Sequence, residues 1–173
     1  MNYFSAMSTT NFFDSSVTTL AERLGQILND RKRSCAVAES CTGGMIGAAL
    51  TSIAGSSLWF RGGVIAYTNE VKMNVLNVAA ETLQRYGAVH AETVKSMAFG
   101  ATTVCGANCA VAVSGIAGPG GGTPEKPVGL VFIGCCVEGT AIAFKHHFSG
   151  DRSSVRVATT IAAIEHLIKT ATM

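Results

Sequence analysis

The chain has 173 residues, 48% of them hydrophobic and 14% charged, with a net charge of +2 from 13 basic and 11 acidic side chains. That is enough apolar material for one domain with a substantial core. The charges are scattered, with RKR at Arg31 to Arg33 the one tight basic cluster, which excludes a nucleic-acid footprint. The longest apolar run, Val128 to Val137, is broken by Gly129 and Gly134 and falls well short of the ~20 residues of a membrane span; it reads as a buried strand. The N-terminal region has neither a basic segment followed by a long apolar one nor the arginines of a transit peptide, so a cytoplasmic protein is expected.

Residues 1–14 read as a tail whose Phe4, Phe12 and Phe13 can dock onto the body or onto a partner subunit. From Ser16 to Asp30, Val17, Leu20, Leu24, Ile27 and Leu28 recur at helical spacing, with Ser15 or Ser16 available as the N-cap. Cys35 to Ala38 is a short strand, and after Gly43-Gly44 the run MIGAALTSI forms a second helix. The pair Gly62-Gly63 leads into a second strand, VIAY, and Thr68 stands at the N-cap position of a helix NEVKMNVL. Residues 79–87 and 91–104 are further helices, the latter with Val94, Met97, Ala98 and Val104 on one face. Three strands follow, CAVAVSG, VGLVFIGCCV and TAIAFKHHF, and the two-residue turn Glu138-Gly139 makes the last two antiparallel. Asp151 caps a final helix that buries Val155, Ala158, Ile161, Ala162, Ile164 and Leu167. The pattern predicts an α/β fold. It is a single domain over residues 15–173, a three-layer α/β/α sandwich on a mixed, mostly parallel sheet of about five strands with a C-terminal antiparallel hairpin.

The six cysteines read as free, mostly buried thiols: Cys35, Cys41 and Cys109 lie in or beside apolar runs, Cys135 and Cys136 are adjacent, and no histidine accompanies Cys105 and Cys109 at ligand spacing. His146 and His147, on a strand, point to opposite faces and receive no catalytic role.

Ligands of open α/β sheets gather at the carboxyl ends of the strands, and the polar loops of this chain lie there. Ser40 is a candidate nucleophile if a neighbouring base activates it, and the N–H groups of Thr42, Gly43 and Gly44, opening a helix, can face an oxyanion. The competing reading is an ordinary N-cap serine. Cys41 is a rival nucleophile without a histidine partner. Lys72 is the candidate base: near the first turn of its helix the dipole lowers its pKa, and partial burial against Tyr67 and Val71 pushes the same way. A solvated surface lysine is the alternative. Tyr67, ending a strand, can stack on a ring or donate a hydrogen bond, or is a half-buried strand tyrosine. The stretch SGIAGPGGGTPEKPVG from Ser114 to Gly129 is neither a P-loop nor a G-x-G-x-x-G fingerprint. Its bare N–H groups nonetheless suit an anionic ligand, and Ser114, Gly115, Gly118 and Asn69 are candidate substrate contacts. Arg152 at the start of the final helix opposes the dipole unless an anion such as a substrate phosphate sits nearby, or unless it pairs with Asp151 or Glu70.

ESCTGG, AGSS-x-WF-x-GG, YTNEVK, SGIAGP-x-GGTPEKPVG and FSGDR-x-x-VR, in that order, resemble the motif series of the CinA C-terminal domain family over roughly residues 17–168. The resemblance implies the same α/β/α sandwich. It also implies an amidohydrolase that converts the carboxamide of nicotinamide mononucleotide to nicotinate mononucleotide and ammonia, in pyridine nucleotide recycling. By that resemblance Ser40 is the nucleophile, Lys72 its base, and Tyr67 and Ser114 supporting groups. A pyridine mononucleotide is the expected ligand and a homo-oligomer the expected form; no metal, cofactor, nucleic acid or membrane is expected. The alternative is a non-catalytic nucleotide-binding or regulatory module of the same family.

Overall fold

The computed structural model describes residues 13–172. Its first helix, α1 (Ser15–Asp30), is capped by Asp14 rather than by Ser15 or Ser16, the Asp14 carboxylate accepting from the Ser16 N–H, because a short acid one residue further out reaches the first free N–H groups. The apolar stripe is as the spacing predicts: Val17, Leu24 and Leu28 are buried, with Leu20 and Ile27 packed against the same core. Phe13 is buried in that core as well, whereas Phe4 and Phe12 lie outside the described residues.

Next come β1 (Cys35–Glu39), α2 (Met45–Thr51) and, after a 3-10 turn, β2 (Phe60–Ile65). The Gly62-Gly63 pair lies inside β2 instead of ahead of it. The β1–β2 register shifts between Cys35 and Ala36, Gly62 adopts a φ of +126°, and a side chain at Gly63 would overlap Val37 on β1. One glycine is there for its backbone angle and the other for space. The strand stops at Ile65, so Tyr67 sits in the loop beyond it rather than ending it.

Helices α3 (Asn69–Asn74), α4 (Ala80–Tyr86) and α5 (Ala91–Cys105) follow, and Thr68 does cap α3, its hydroxyl accepting from the Val71 N–H at 3.4 Å. On α5, Val94, Met97 and Ala98 are buried, but Val104, in the last turn, is 47% exposed; Ala101 completes the buried face. The remaining elements are β3 (Cys109–Gly115), β4 (Leu130–Val137), β5 (Thr140–His147) and α6 (Arg152–Ala171). β4 starts at Leu130, two residues later than the apolar run suggests, since Gly129 (φ +90°) still belongs to the entering loop.

The five strands are ordered β2-β1-β3-β4-β5. β1 pairs parallel with β2 and β3, while β3–β4 and β4–β5 pair antiparallel, so β4 alone runs against the rest. Alternation along the strands divides the core. Cys35, Val37, Cys109, Val111 and Val113 face Leu24, Ile46 and Ile164 of α1, α2 and α6. Ala36, Ala38, Ala110 and Ala112 face Leu76, Leu83 and Met97, on the side of α3, α4 and α5. This is the expected three-layer sandwich. All six cysteines are free. His146 and His147 diverge as expected: His146 Nε2 lies 2.8 Å from His166 Nε2, and His147 Nε2 lies 3.0 Å from the Val128 carbonyl. Among the described residues, no helix is long and apolar enough to cross a membrane.

Candidate active site

The parallel pairing of β1 and β3 sets Glu39 opposite Val113, so the next residues, Ser40 and Ser114, stand side by side at the carboxyl end of the sheet. The Ser40 N–H donates to the Val113 carbonyl at 3.1 Å, and the Ser40 carbonyl accepts from the Gly43 N–H at 3.2 Å, closing a turn. Ser40 is not an N-cap, because α2 starts later, at Met45, behind Gly44. Its hydroxyl is therefore free of a capping role.

Lys72 is no surface lysine: it is 1% exposed. Its Nζ lies 3.3 Å from Ser40 Oγ and donates to the Ala66 carbonyl at 2.7 Å. Burial pushes the Lys72 pKa below the ordinary lysine range, with Cys41 and Glu70 acting in the opposite direction. Desolvation is the cause. The dipole of the six-residue α3 adds little, and Tyr67, expected to shield the amine, is 58% exposed. Next to Ser40, burial holds the Cys41 thiol up at about 12, so it forms no thiolate at neutral pH. Of the two adjacent side chains, the hydroxyl is the one with an amine in reach.

The expectation for the helix-opening N–H groups needs correction. The Gly43 N–H is engaged by the Ser40 carbonyl and the Gly44 N–H by Glu39 Oε2 at 2.9 Å. The N–H groups of Cys41, which lies against its own thiol, and of Thr42 donate to no other described residue, and these are the two backbone donors that directly follow Ser40. What the turn requires of the two glycines is their left-handed φ, +61° and +99°.

At the end of β3, Ser114 is 1% exposed. An added Cβ at Gly115 would lie 2.6 Å from Val131 Cγ2, so this glycine is set by packing against β4. Gly118 takes a φ of +81°, and its carbonyl accepts from Arg152 Nη1 at 2.9 Å; Arg152 Nη2 donates to the Tyr67 hydroxyl at 3.3 Å. Arg152 has no acidic partner among the described residues. Among the described residues the ion pairs are Arg33–Glu138 and Lys95–Glu92, and Asp151 instead accepts from the Ser154 N–H as the cap of α6. Arg152 thus links the loops after β2 and β3 beside an open cleft of about 420 Å³, walled by Ala117, Pro119 and Val128 on one side and Gly150 and Asp151 on the other. Asn69 is exposed at the first position of α3. A cavity of about 290 Å³ beside Arg33, Cys135 and Glu138 lies at the opposite end of the sheet. Among the described residues, no three His, Cys, Asp or Glu side chains group to hold a metal ion.

Two residues of this region were not singled out by the sequence reading. Glu39 is buried, 1% exposed, and accepts from the Thr42 hydroxyl at 2.6 Å and from the N–H groups of Gly44, Ile46 and Gly47 at 2.9, 3.1 and 2.8 Å. Arg156 Nη2 donates to the Thr42 carbonyl at 2.6 Å, while its buried Nε has no partner among the described residues. The available signals were an acid closing an apolar strand and the second arginine of FSGDR-x-x-VR.

The family model of the CinA C-terminal domain matches residues 17–171. A CinA-like protein of Endomicrobium trichonymphae is 47% identical over 157 residues, 91% of this chain. A CinA-like protein of Thermotoga maritima is 45% identical over 150 residues, 87% of this chain. The chain spans 37% and 36% of the length of those two relatives. Among solved structures, the competence/damage inducible protein CihA of Agrobacterium tumefaciens superposes with a TM-score of 0.90 at 41% identity, covering 94% of this chain and 99% of that one. A CinA superfamily protein of Klebsiella pneumoniae gives 0.87 at 35% identity, covering 90% and 98%. With the motif order, the fold and these likenesses in agreement, the chain belongs to the CinA C-terminal domain family.

Proposed function

We propose that the protein is an amidohydrolase that hydrolyses the carboxamide of nicotinamide mononucleotide through a Ser40–Lys72 dyad. The observation that carries this reading is the buried Lys72 amine 3.3 Å from the Ser40 hydroxyl. The lowered pKa of Lys72 favours its neutral amine, the form that can act as a general base, and a serine hydroxyl needs such a base to attack a carbonyl.

Neutral Lys72 takes the hydroxyl proton as Ser40 Oγ bonds to the carboxamide carbon. The N–H groups of Cys41 and Thr42 receive the negative charge that develops on the carbonyl oxygen. Protonated Lys72, which donates to the Ala66 carbonyl, then passes its proton to the amine nitrogen, the C–N bond breaks and ammonia leaves. Water attacks the resulting ester with Lys72 again as base, releasing nicotinate mononucleotide and restoring Ser40. Arg152 binds the substrate phosphate, and Tyr67, with its exposed ring, lies against the pyridine. Such an enzyme serves pyridine nucleotide recycling in the cytoplasm.

Incubating the protein with nicotinamide mononucleotide and quantifying both products tests the reading. Ammonia and nicotinate mononucleotide should form in equal amounts. Calorimetric binding of the mononucleotide without either product would instead make this a nucleotide-binding module.

A further inference from the structure

Glu39 stands apart among the buried polar groups. Among the described residues it has no cation within ion-pair distance. The four hydrogen bonds of its carboxylate among the described residues all go to the segment that follows Ser40: Oε2 accepts from the Thr42 hydroxyl and from the Gly44 and Ile46 N–H groups, and Oε1 from the Gly47 N–H. Three of the four converge on Oε2 and one on Oε1, so both oxygens of the carboxylate accept from this segment. Desolvating a carboxylate is costly, and α2, whose N-cap Gly44 has no side chain to offer, is only seven residues long.

Strand alternation gives this arrangement a direction. Cys35 and Val37 face the α1, α2 and α6 side of the sheet, and Glu39, two residues further on, shares that side. Ser40 turns to the other side, where Lys72 donates to it. Arg156 of α6 holds the same turn by the Thr42 carbonyl. Donors and acceptor of the turn are therefore held from one side of the sheet, while the hydroxyl is presented on the other.

We propose that Glu39 is the positioning residue of the nucleophile: its carboxylate fixes the Ser40–Gly47 segment so that the hydroxyl stays in reach of Lys72 and the Cys41 and Thr42 N–H groups stay open. This rests on the Ser40–Lys72 reading above. Glu39→Gln keeps the shape but turns one acceptor oxygen into a donor NH₂ facing N–H or O–H groups. A displacement of Ser40 by even ~1 Å lowers the rate roughly a hundredfold.

The test uses a fluorophosphonate, which modifies activated serine hydroxyls whatever the natural substrate. The rate constant and the end-point stoichiometry at Ser40 are followed by intact-mass and peptide mass spectrometry in the full chain. Glu39→Gln should react roughly a hundredfold more slowly than wild type, yet reach one label per chain, with an unchanged pH midpoint because Lys72 is untouched. Thr42→Val, which removes one of the four donors, should also slow labelling, and Thr42→Ser, which restores the hydroxyl, should recover most of that loss. This pair decides the matter if Glu39→Gln fails to fold. A folded Glu39→Gln labelled at the wild-type rate would overturn the proposal. So would slowing matched by lost stoichiometry, or Thr42→Val and Thr42→Ser reacting alike. Wild-type protein that is labelled at Ser40 but releases no ammonia from the mononucleotide would reject the substrate and leave Glu39 to be judged by these rates; wild-type protein unlabelled at Ser40 would reject both.

Discussion

Lys72 and Ser40, 32 positions apart in the chain, meet with 3.3 Å between Nζ and Oγ. The Thr68 cap starts α3 immediately beyond β2, and the parallel pairing of β2 with β1 brings that helix over the end of the neighbouring strand. The amine is buried in the process, and burial lowers its pKa. One packing decision thus supplies both proximity and basicity.

The rate of hydrolysis should rise with pH through the Lys72 pKa, which burial lowers from the 10.5 of an unperturbed lysine. Lys72→Arg should be as damaging as Lys72→Ala, because a guanidinium cannot accept the proton. The Lys72 contribution to stability moves in the same direction. Between its folded-state pKa and 10.5 the unfolded chain holds the Lys72 proton more tightly than the folded one, so this contribution rises with pH across that window. The buried thiols, raised from 9.0 by desolvation, act the other way above about 9 in any variant that keeps them, so the Lys72 effect is read as the difference between wild type and Lys72→Met in denaturant titrations at a series of pH values: that difference should grow in favour of wild type as pH rises.

Cys41→Ala keeps the backbone N–H and removes a thiol that burial holds up at about 12, so most of the activity should survive. Steady-state assays of Cys41→Ala beside wild type check this. Loss of activity in Cys41→Ala while Ser40→Ala remains active would move the nucleophile to the thiol.

Arg152→Ala should weaken binding of the mononucleotide strongly and barely change binding of the dephosphorylated riboside. Among the described residues the guanidinium has no acidic partner and donates to the Gly118 carbonyl and the Tyr67 hydroxyl. Inhibition constants for the two ligands in both proteins decide it. An equal loss for both would assign Arg152 to holding the loops instead.

Gly100→Ala tests the packing that supports the site. Helix propensity favours alanine by ~1 kcal/mol, but the added Cβ would overlap the Leu76 carbonyl oxygen and lie 2.8 Å from its carbon. The clash should outweigh the propensity and destabilise the protein by about 2 kcal/mol net. Calorimetry should show a melting temperature lower by roughly 5 °C.

The order of helices and strands was legible because apolar periodicity is local, and Ser40 and Lys72 were legible because polar residues gather where apolar strands end. The depth of Lys72 was not, since nothing in NEVKMN distinguishes a buried lysine from a solvated one. Arg156 meets the Thr42 carbonyl across 114 positions, which only the packing of α6 determines. Glu39 is local to its partners, but its role depends on which face of β1 it occupies and on a turn whose glycines suggest ligand-facing N–H groups. Those N–H groups turned out to be engaged within the protein. Similarly, Gly62-Gly63 resembled a turn ahead of a strand because a bulge and a close strand contact use the same residue.

The most direct test is the initial rate of ammonia release from nicotinamide mononucleotide by wild-type and Ser40→Ala protein measured side by side, with folding of the variant verified by circular dichroism. Ammonia from wild type and none above background from a folded Ser40→Ala is the predicted result. Release at the wild-type rate from Ser40→Ala, or no release from either protein, would contradict it.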